Sequence, residues 1–376
     1  MNKKLLIAPN SFKEVADSDK VADMFREHLK QESGLNIEVL PISDGGDGFL
    51  NACKSAFGLE VLSYEITTPY DNSTFSCETG YDRQTKKIYI ESARVLGLRV
   101  IPEDQRDPLK LSSKGIGDLF LKIIDDIRQN KITVDEVIIG IGGTGTNDLG
   151  LGVCSRFELE LYDLFGKKDK IIPEYYYRIK ELKWSAPDLP FKIKVVIDVN
   201  NPLLGRKGAA RTFGPQKGAD KGEVEVMELG FTKIVNLLKD KDIDRSFENL
   251  SGAGGGLAAG LYLFFNASTV EAKEFIRKEL KLEEKIIDKD IILTGEGSFD
   301  GQTLNGKGAG IVLNLAVEMN KKVILCCGNI TQDVKEMIGD HVDVIELSSF
   351  FGSKEESISN FEKGIELASR KAALLL

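Results

Sequence analysis

Short apolar runs alternate along the chain with amphipathic stretches and glycine-rich loops. Residues 3–8 and 36–40 are rich in aliphatic side chains, which is typical of parallel strands covered on both faces. Between them, apolar residues recur at helical spacing as far as Lys30. The same alternation returns near the C-terminus. There the pattern predicts strands at 290–294, 322–327 and 342–346, a loop at 295–307 and a final helix from about residue 356.

The middle of the chain has a different pattern. Residues 60–91 contain three short strands of alternating polar and apolar character, separated by Asn, Asp and Gly. A helix and two further apolar strands follow. We therefore predict an α/β protein in which residues 1–65 and 288–376 form one doubly wound parallel sheet domain, and residues 66–287 form an inserted second α/β domain. The length of 376 residues fits two domains.

Glycine-rich loops with carboxylates follow several of the predicted strands. A single acid in such a loop is usually a solvated turn residue. Repetition at the carboxyl ends of parallel strands, where ligands gather in open α/β sheets, favours a site instead. Grouped carboxylates can bind Mg²⁺ or accept a proton from a hydroxyl group. The acids in this pattern are Asp44, Asp47, Asp148, Asp198, Glu296 and Asp300.

One such loop follows the strand predicted at 137–141, and two interpretations of it stay open. It is either a turn with an Asn-Asp helix cap, or a ligand loop whose glycines let backbone amides approach a bound group. A Gly-x-Gly-x-x-Gly dinucleotide fingerprint begins at residue 140. However, Asp148 follows where a pyrophosphate would dock, which weakens that reading. The candidate contacts of the loop are Gly142, Gly143, Thr144 and Asn147.

Two further glycine segments suggest phosphate contacts. The segment that ends in Gly306 and Lys307 resembles a P-loop, but Gly308 stands where a magnesium-binding Ser or Thr is required. A P-loop enzyme is therefore disfavoured, and a looser phosphate contact is retained. Gly255 and Gly256 precede another predicted helix and would offer bare backbone amides at its start.

Two lysines lie in loops with little other charge, Lys13 and Lys217, and either could neutralise a phosphoryl group. Acids, lysines and glycine loops together indicate phosphoryl transfer, in which positioning and electrostatics do most of the work. These patterns do not identify the acceptor.

Composition argues against several kinds of partner. With 50 Lys and Arg against 59 Asp and Glu, the net charge of −9 disfavours nucleic acid and anionic membranes. No apolar run is long enough for a membrane span or a signal-peptide core. The five cysteines lack metal or redox spacing, and neither His28 nor His341 lies beside a glycine loop. We expect a cytoplasmic protein, and a homo-oligomer is left open.

The ordered motifs resemble those of the bacterial glycerate kinases of glyoxylate and sugar-acid catabolism, and the resemblance spans essentially the whole chain. It rests on the segments 8–13 (Ala-Pro-Asn-Ser-Phe-Lys), 43–48 (Ser-Asp-Gly-Gly-Asp-Gly), 106–110 (Arg-Asp-Pro-Leu-Lys), 141–148 (Ile-Gly-Gly-Thr-Gly-Thr-Asn-Asp), 213–219 (Phe-Gly-Pro-Gln-Lys-Gly-Ala), 254–256 (Gly-Gly-Gly), and 294–297 (Thr-Gly-Glu-Gly) with 300–303 (Asp-Gly-Gln-Thr).

This resemblance implies a flavodoxin-like domain, a second α/β domain and an active site in the cleft between them. It also implies ATP-dependent, Mg²⁺-assisted phosphorylation of D-glycerate, giving 2-phosphoglycerate and ADP. Under this hypothesis, Lys13 or Lys217 steadies the transferred phosphoryl group, and Asp198 or Asp148 accepts the glycerate proton.

The other site residues are assigned under the same hypothesis. Glu296 and Asp300 are the candidate metal ligands. The candidate substrate and nucleotide contacts are Ser11, Asp44, Gly45, Gly46, Asp47, Gly142, Gly143, Thr144, Asn147, Gly255, Gly256, Gly306 and Lys307.

Some positions depart from the residues usual in that family. Asn10 stands where Asp is usual, Thr144-Gly145 where Ser-Ala is usual, Leu149 where Gly is usual, and Ser298 where Arg is usual. Three alternatives remain: a kinase that forms 3-phosphoglycerate or acts on a related sugar acid, a non-catalytic sensor of small molecules, and a dehydrogenase.

Overall fold

The computed structural model describes residues 3–12, 15–31, 34–241, 246–339 and 342–376. Its strands are β1 (Lys3–Ile7), β2 (Leu35–Val39), β3 (Glu60–Thr67), β4 (Thr74–Asp82), β5 (Lys87–Glu91), β6 (Glu136–Ile141), β7 (Glu160–Tyr162), β8 (Glu181–Lys183), β9 (Lys192–Ile197), β10 (Ser268–Glu271), β11 (Ile291–Phe299), β12 (Lys322–Ile330) and β13 (Val342–Glu346).

The α-helices are α1 (Ser18–Leu29), α2 (Phe49–Phe57), α3 (Ser92–Leu96), α4 (Lys114–Arg128), α5 (Leu151–Ser155), α6 (Pro173–Tyr176), α7 (Ala209–Phe213), α8 (Lys221–Lys239), α9 (Leu257–Phe265), α10 (Ala272–Glu274), α11 (Leu282–Ile287), α12 (Gly301–Leu304), α13 (Ala309–Glu318), α14 (Gln332–Met337), α15 (Lys354–Ser359) and α16 (Phe361–Ala373). Short 3₁₀ helices span Glu103–Gln105, Pro215–Lys217 and Leu347–Phe350, and a π-helix spans Phe275–Glu279.

The chain divides into two compact units. The first contains Met1–Gly58 and Glu271–Leu376, and the second contains Leu59–Val270. Both boundaries lie earlier than the sequence predicted, at 58 instead of 65 and at 270 instead of 287. The first moves because β3 pairs with β4 along its whole length. The second moves because α10 packs on the following π-helix, and α11 packs on that helix and on α13, all within the first unit.

The sheet of the first unit has the strand order β2-β1-β11-β12-β13, and every neighbouring pair is parallel. This is the flavodoxin-like order, in which the direction of winding reverses between the first and third strands. Leu5, Leu6 and Ile7 are all fully buried, as a strand covered on both faces requires. The predicted α/β fold class is confirmed, and its switch point lies between β1 and β11.

Strand β11 was predicted to end at Thr294, but it continues to Phe299. It keeps pairing with β12 as far as Phe299 opposite Ile330. A Cβ on Gly295 would lie 1.7 Å from the carbonyl oxygen of Cys326, so this glycine allows two strand backbones to approach closely. The glycine that indicated a loop therefore lies inside the strand, and Glu296 lies on it too.

The predicted final helix is in fact two helices, α15 and α16, which are separated at Asn360. Helix α16 packs against α1 over a core that includes Phe25, Ile365 and Leu293.

The second unit has a mixed sheet in the order β10-β9-β6-β5-β4-β3. Strands β5, β6 and β9 are parallel neighbours, while β3, β4 and β5 pair antiparallel. Apolar residues of β5, β6 and β9 form one core with helices α4 and α9. A second core joins α5, α6 and α8 to another face of α9. These two cores fix the loops at the carboxyl ends of the parallel strands.

Candidate active site

In the first unit, the carboxyl ends of β1 and β11 meet at the switch point of the sheet. The backbone N–H of Asn10 donates to the carbonyl of Gly295 at 2.8 Å, and Thr294 Oγ1 donates to the carbonyl of Ala8 at 2.8 Å. The side-chain amide of Asn10 then donates to Glu296 Oε2 at 3.3 Å. Because ligands bind outside the strand ends at such a point, this is the candidate binding position of the first unit.

Glu296 is 7% exposed, and its carboxylate already accepts hydrogen bonds from other residues of the protein. Oε1 accepts a hydrogen bond from Thr303 Oγ1, and Oε2 accepts one from Ala309 N, the first amide of α13, at 3.4 Å. Burial raises the pKa of Glu296, the hydrogen bonds oppose this, and the charge of Asp44 adds to the rise. A Cβ on Gly308 would lie 2.3 Å from Oε2, so the glycine leaves room for the carboxylate. The start of α13 is therefore occupied by an acid of the chain itself.

The amides of the predicted phosphate loop are also used within the protein. Gly306 N and Lys307 N both donate to the carbonyl of Thr303, at 2.9 and 3.2 Å. These two amides are therefore already engaged, and the phosphate contact of Gly306 and Lys307 stays a prediction. The side chain of Lys307 is half-buried.

Asp300 caps a helix. Its Oδ1 accepts hydrogen bonds from the amides of Gln302 and Thr303, at 2.8 and 3.0 Å, at the start of α12. The predicted metal pair, Glu296 and Asp300, does not fit Mg²⁺, because Glu296 already has protein donors on both oxygens and Asp300 is engaged as a cap. In the described part of the chain, no group of three or more His, Cys, Asp or Glu side chains is placed to hold a metal ion.

The loop after β2 is a turn closed by its own hydrogen bonds. Gly45 N donates to Ser43 Oγ and Gly46 N donates to Asp44 Oδ1, both at 3.3 Å. Gly45 has a φ of +95°, a left-handed conformation that glycine adopts at little cost. Asp44 and Asp47 are half-buried at the two ends of the turn. The two glycine amides therefore close the turn, and the two acids stay predicted substrate contacts.

Two further predicted residues follow β1. Ser11 is buried, with 7% of its surface exposed. Lys13 lies outside the described residues.

In the second unit, β5, β6 and β9 end at one edge of the sheet. Glu91 pairs with Gly140, and Gly140 pairs with Val196, so the loops that follow these strands begin at nearly the same level. Gly143 is exposed, and Asp198, directly after β9, is half-buried. This edge is the candidate site of the second unit, and Asp198 is its accessible acid.

Asp148 is fully buried and accepts four hydrogen bonds. Ser113 N and Ser113 Oγ donate to Oδ2 at 2.7 and 2.8 Å, Gly152 N donates to Oδ2 at 3.1 Å, and Gly150 N donates to Oδ1 at 3.1 Å. Burial raises the pKa of Asp148, and the four donors oppose that rise. The carboxylate thus ties the β6 loop to the start of α4, and it does not lie at an open position.

Lys217 is also turned inward, with 4% of its surface exposed. Its Nζ donates to the carbonyl of Thr146 at 2.6 Å, to Thr144 Oγ1 at 3.3 Å and to Asn147 Oδ1 at 3.5 Å. None of these acceptors carries a charge. Burial therefore lowers the pKa of Lys217 to about 7, although the charge of Asp148 opposes the shift. Lys217 therefore binds the β6 loop through three different residues.

The glycines before α9 support the same loop. Gly256 N donates to the carbonyl of Gly252 at 3.0 Å, and Leu149 N donates to the carbonyl of Gly255 at 3.2 Å. A Cβ on Gly255 would lie 2.2 Å from Asn147 Oδ1. The expectation that Gly255 and Gly256 offer bare amides is therefore not supported for Gly256, and both glycines permit close packing under the loop.

Sequence reasoning missed the residues that hold these acids. Ser113 directly precedes α4, and that position was a recognisable helix-cap signal, although nothing local indicated Asp148 as its partner. Thr303 lies in segment 300–303 of the family resemblance, which implied no role for it. Ser92 Oγ, which donates to the carbonyl of Gly142 at 3.4 Å, carried no signal in the sequence.

In the described portion of the protein, no helix combines the length and the apolar character needed to cross a membrane.

The comparisons with known proteins all indicate the same family. Residues 5–376 match the sequence model of the glycerate kinase family. The glycerate 2-kinase of Escherichia coli (strain K12) is 32% identical, over 99% of this chain and 98% of that protein. A glycerate kinase of Halalkalibacterium halodurans is 29% identical, over 99% of this chain and 97% of that protein.

A solved structure agrees with these sequence matches. The crystal structure of a chain from Salmonella typhimurium LT2, named as glycerate kinase 2, superposes with a TM-score of 0.77. That chain is 29% identical, and the alignment covers 100% of this chain and 98% of the other.

Proposed function

Because the chain belongs to the glycerate kinase family and is a glycerate kinase enzyme, we propose that it transfers the γ-phosphoryl group of ATP to the 2-hydroxyl of D-glycerate. The products are 2-phosphoglycerate and ADP. The observation that carries the choice of the 2-position is the full-length similarity to a protein named glycerate 2-kinase.

The base in this proposal is Asp198. A general base must come within hydrogen-bonding reach of the hydroxyl whose proton it takes. Asp198 is half-buried at the carboxyl end of β9, whereas Asp148 is fully buried under four donors. Asp198 therefore accepts the proton of the 2-hydroxyl while the oxygen of that hydroxyl attacks the γ-phosphorus. Asp148 instead holds the neighbouring loop in place.

Lys217 acts through the β6 loop. Its Nζ joins Thr144, Thr146 and Asn147, which leaves the outer part of that loop, Gly142 and Gly143, as the accessible backbone. Exposed backbone amides in glycine loops are suited to phosphate oxygens, which need close approach and hydrogen-bond donors. Lys217 therefore fixes the position of the phosphate contacts and does not itself carry the phosphoryl group.

Mg²⁺ enters the proposal as the ion that accompanies ATP. Phosphate oxygens and water usually supply most ligands of Mg²⁺ in such enzymes, with one or two carboxylates.

In the first unit, Ser11, Asp44 and Asp47 stay predicted substrate contacts.

The test incubates the protein with ATP, Mg²⁺ and D-glycerate and measures ADP. Enolase is then added, because it consumes 2-phosphoglycerate but not 3-phosphoglycerate. We expect phosphoenolpyruvate to form, and the sum of phosphoenolpyruvate and remaining 2-phosphoglycerate to equal the ADP. ADP without phosphoenolpyruvate would contradict the 2-position, and no ADP would contradict the kinase function and favour a sensor. L-Glycerate serves as the control acceptor.

A further inference from the structure

A cavity of about 400 Å³ lies in the second unit, beside the end of β9. Its walls come from residues 197–202, from residues 248–251, from helix α9 and from Thr269. Small-molecule sites usually have volumes of about 300–1,000 Å³. The cavity is larger than a three-carbon acid requires, so it suits a larger ligand than glycerate.

The two loop segments that form the walls are hydrogen-bonded to each other. Leu203 N donates to the carbonyl of Leu250 at 2.7 Å, and Gly252 N donates to the carbonyl of Asn201 at 2.8 Å. A Cβ on Gly252 would lie 2.5 Å from the carbonyl oxygen of Pro202, so this glycine is required for the close approach. The cavity is therefore preformed, which reduces the ordering cost of binding.

The lining combines apolar surface with polar side chains. Val199, Pro202 and the ring of Tyr262 give apolar surface, and the small side chains of Ala258 and Ala259 on α9 leave room between the walls. The hydroxyl of Tyr262 accepts a hydrogen bond from Ser246 N at 3.2 Å, which fixes the ring.

The rim disfavours phosphate inside the cavity. Asn200 and Glu248 are exposed at the rim. An amide oxygen and a carboxylate can accept hydrogen bonds from an exocyclic amine or a ribose hydroxyl, but a carboxylate repels phosphate. A flat group with apolar faces and an amine at its edge matches this mixed lining.

The cavity adjoins the β6 loop through the segment that carries both. Ser251 lines the cavity, and a Cβ placed on Gly254, three residues later, lies 3.7 Å from Thr144 Oγ1. Three residues of extended chain span at most about 11 Å. On the other wall, Val199 directly follows Asp198. A nucleotide whose base lies in the cavity can therefore extend its phosphates toward Gly142 and Gly143.

We propose that this cavity binds the adenine and ribose of the phosphoryl donor, and that the phosphates extend from it toward the β6 loop. The identity of the donor rests on the proposed function. None of the residues that line this site was a candidate contact in the sequence analysis.

The first test uses 8-azido-ATP, which labels residues next to the base. The wild-type protein is irradiated with this probe, digested, and its peptides are analysed by mass spectrometry. We expect label on the peptides that contain Asn200 or Tyr262, and excess ATP should prevent it. Labelling confined to peptides remote from the cavity would overturn the proposal.

The second test places a large side chain at the rim. Because Asn200 is exposed, Asn200→Trp narrows the entrance without filling a packed core. We expect the Kd for ADP, measured by calorimetry, to rise at least about tenfold, and the Tm to stay unchanged. Asn236→Trp, at an exposed position on α8 away from the cavity, is the matched control and should bind ADP like the wild type.

The two proposals can be contradicted separately. A wild-type enzyme that forms 2-phosphoglycerate, together with an Asn200→Trp variant that binds ADP normally, would contradict the cavity proposal alone. A wild-type protein that binds ADP in the cavity, with the expected loss in Asn200→Trp, but makes no phosphoglycerate would support the cavity and contradict the proposed function.

Discussion

The side-chain amide of Asn10 donates a hydrogen bond to Glu296 Oε2, at 3.3 Å, across the switch point of the first sheet. Glu296 has 7% of its surface exposed, and the charge of Asp44 already raises its pKa beyond the effect of burial. An amide at position 10 therefore supplies a donor where a carboxylate would add a second like charge.

We expect Asn10→Asp to destabilise the protein at neutral pH. The free energy of unfolding should fall by about 1–3 kcal/mol, because a buried acceptor loses its donor and gains a like charge. The folded state already binds a proton at Glu296 more readily than the unfolded state does, so stability from this group decreases as pH rises through the folded pKa. Urea unfolding of both proteins at pH 5 and pH 8 should therefore give a larger difference at pH 8.

A compensating change tests the cause. Ser298 is exposed and lies two residues after Glu296 on β11, so both side chains lie on the same face of the strand. Ser298→Arg should recover part of the stability lost in Asn10→Asp, about 0.5–1.5 kcal/mol, and much less in the wild-type background. Equal effects in both backgrounds would mean that the charge at position 10 is not the cause of the loss.

Lys217 makes stability depend on pH in the opposite direction. Its pKa is lowered to about 7 in the folded protein, while the unfolded chain has an ordinary lysine. Between about pH 7 and pH 10 the unfolded state thus binds more protons than the folded state. The contribution of Lys217 to the free energy of unfolding therefore rises with pH, by up to about 1.4 kcal/mol per pH unit. We expect Lys217→Met to remove this rise, as measured by urea unfolding from pH 6.5 to pH 9.

Lys221→Met is the control for that measurement. Lys221 is an exposed lysine in the first turn of α8, only four residues further along the chain. Its replacement should leave the pH dependence of the wild type in place. If both variants keep the rise, Lys217 is not the group responsible for it.

Gly255→Ala should displace the β6 loop. A Cβ there would lie 2.2 Å from Asn147 Oδ1 and 2.3 Å from the carbonyl oxygen of Thr146, and the φ of Gly255 is +68°. Gly166 has a φ of +71° and nothing within 4 Å of its Cβ position, so Gly166→Ala has similar strain without a clash.

We expect Gly166→Ala to lower the free energy of unfolding by about 1–2 kcal/mol and to leave kcat unchanged. Gly255→Ala should cost more stability and also reduce kcat. Equal losses in the two variants would show that backbone strain alone acts at Gly255.

The sequence pattern predicts the order of strands and helices, but it does not predict which acids are buried and hydrogen-bonded. Buried runs such as Leu5–Ile7 are readable, because a strand covered on both faces needs apolar residues at every position. Glu296 was placed in a loop, because Gly295 has the same local signature in a turn as in a tight strand pair. The burial of Asp148 depends on Ser113, which is 35 residues earlier, and no local pattern links the two.

Substitution by Asn distinguishes the roles of Asp198 and Asp148. Asp198→Asn should lower kcat by about 10²–10⁴-fold and leave ADP binding and the Tm close to those of the wild type, because it replaces the proposed proton acceptor with an amide of the same size. Asp148→Asn should instead lower the free energy of unfolding by about 1–3 kcal/mol, since an amide NH₂ would face one of the four donors that now bind the carboxylate.

Both variants are measured by the enolase-coupled assay and by urea unfolding of the same preparations. If Asp148→Asn abolishes turnover with no loss of stability, while Asp198→Asn remains active, then the buried acid is the base. The accessible position of Asp198 would in that case reflect a substrate contact.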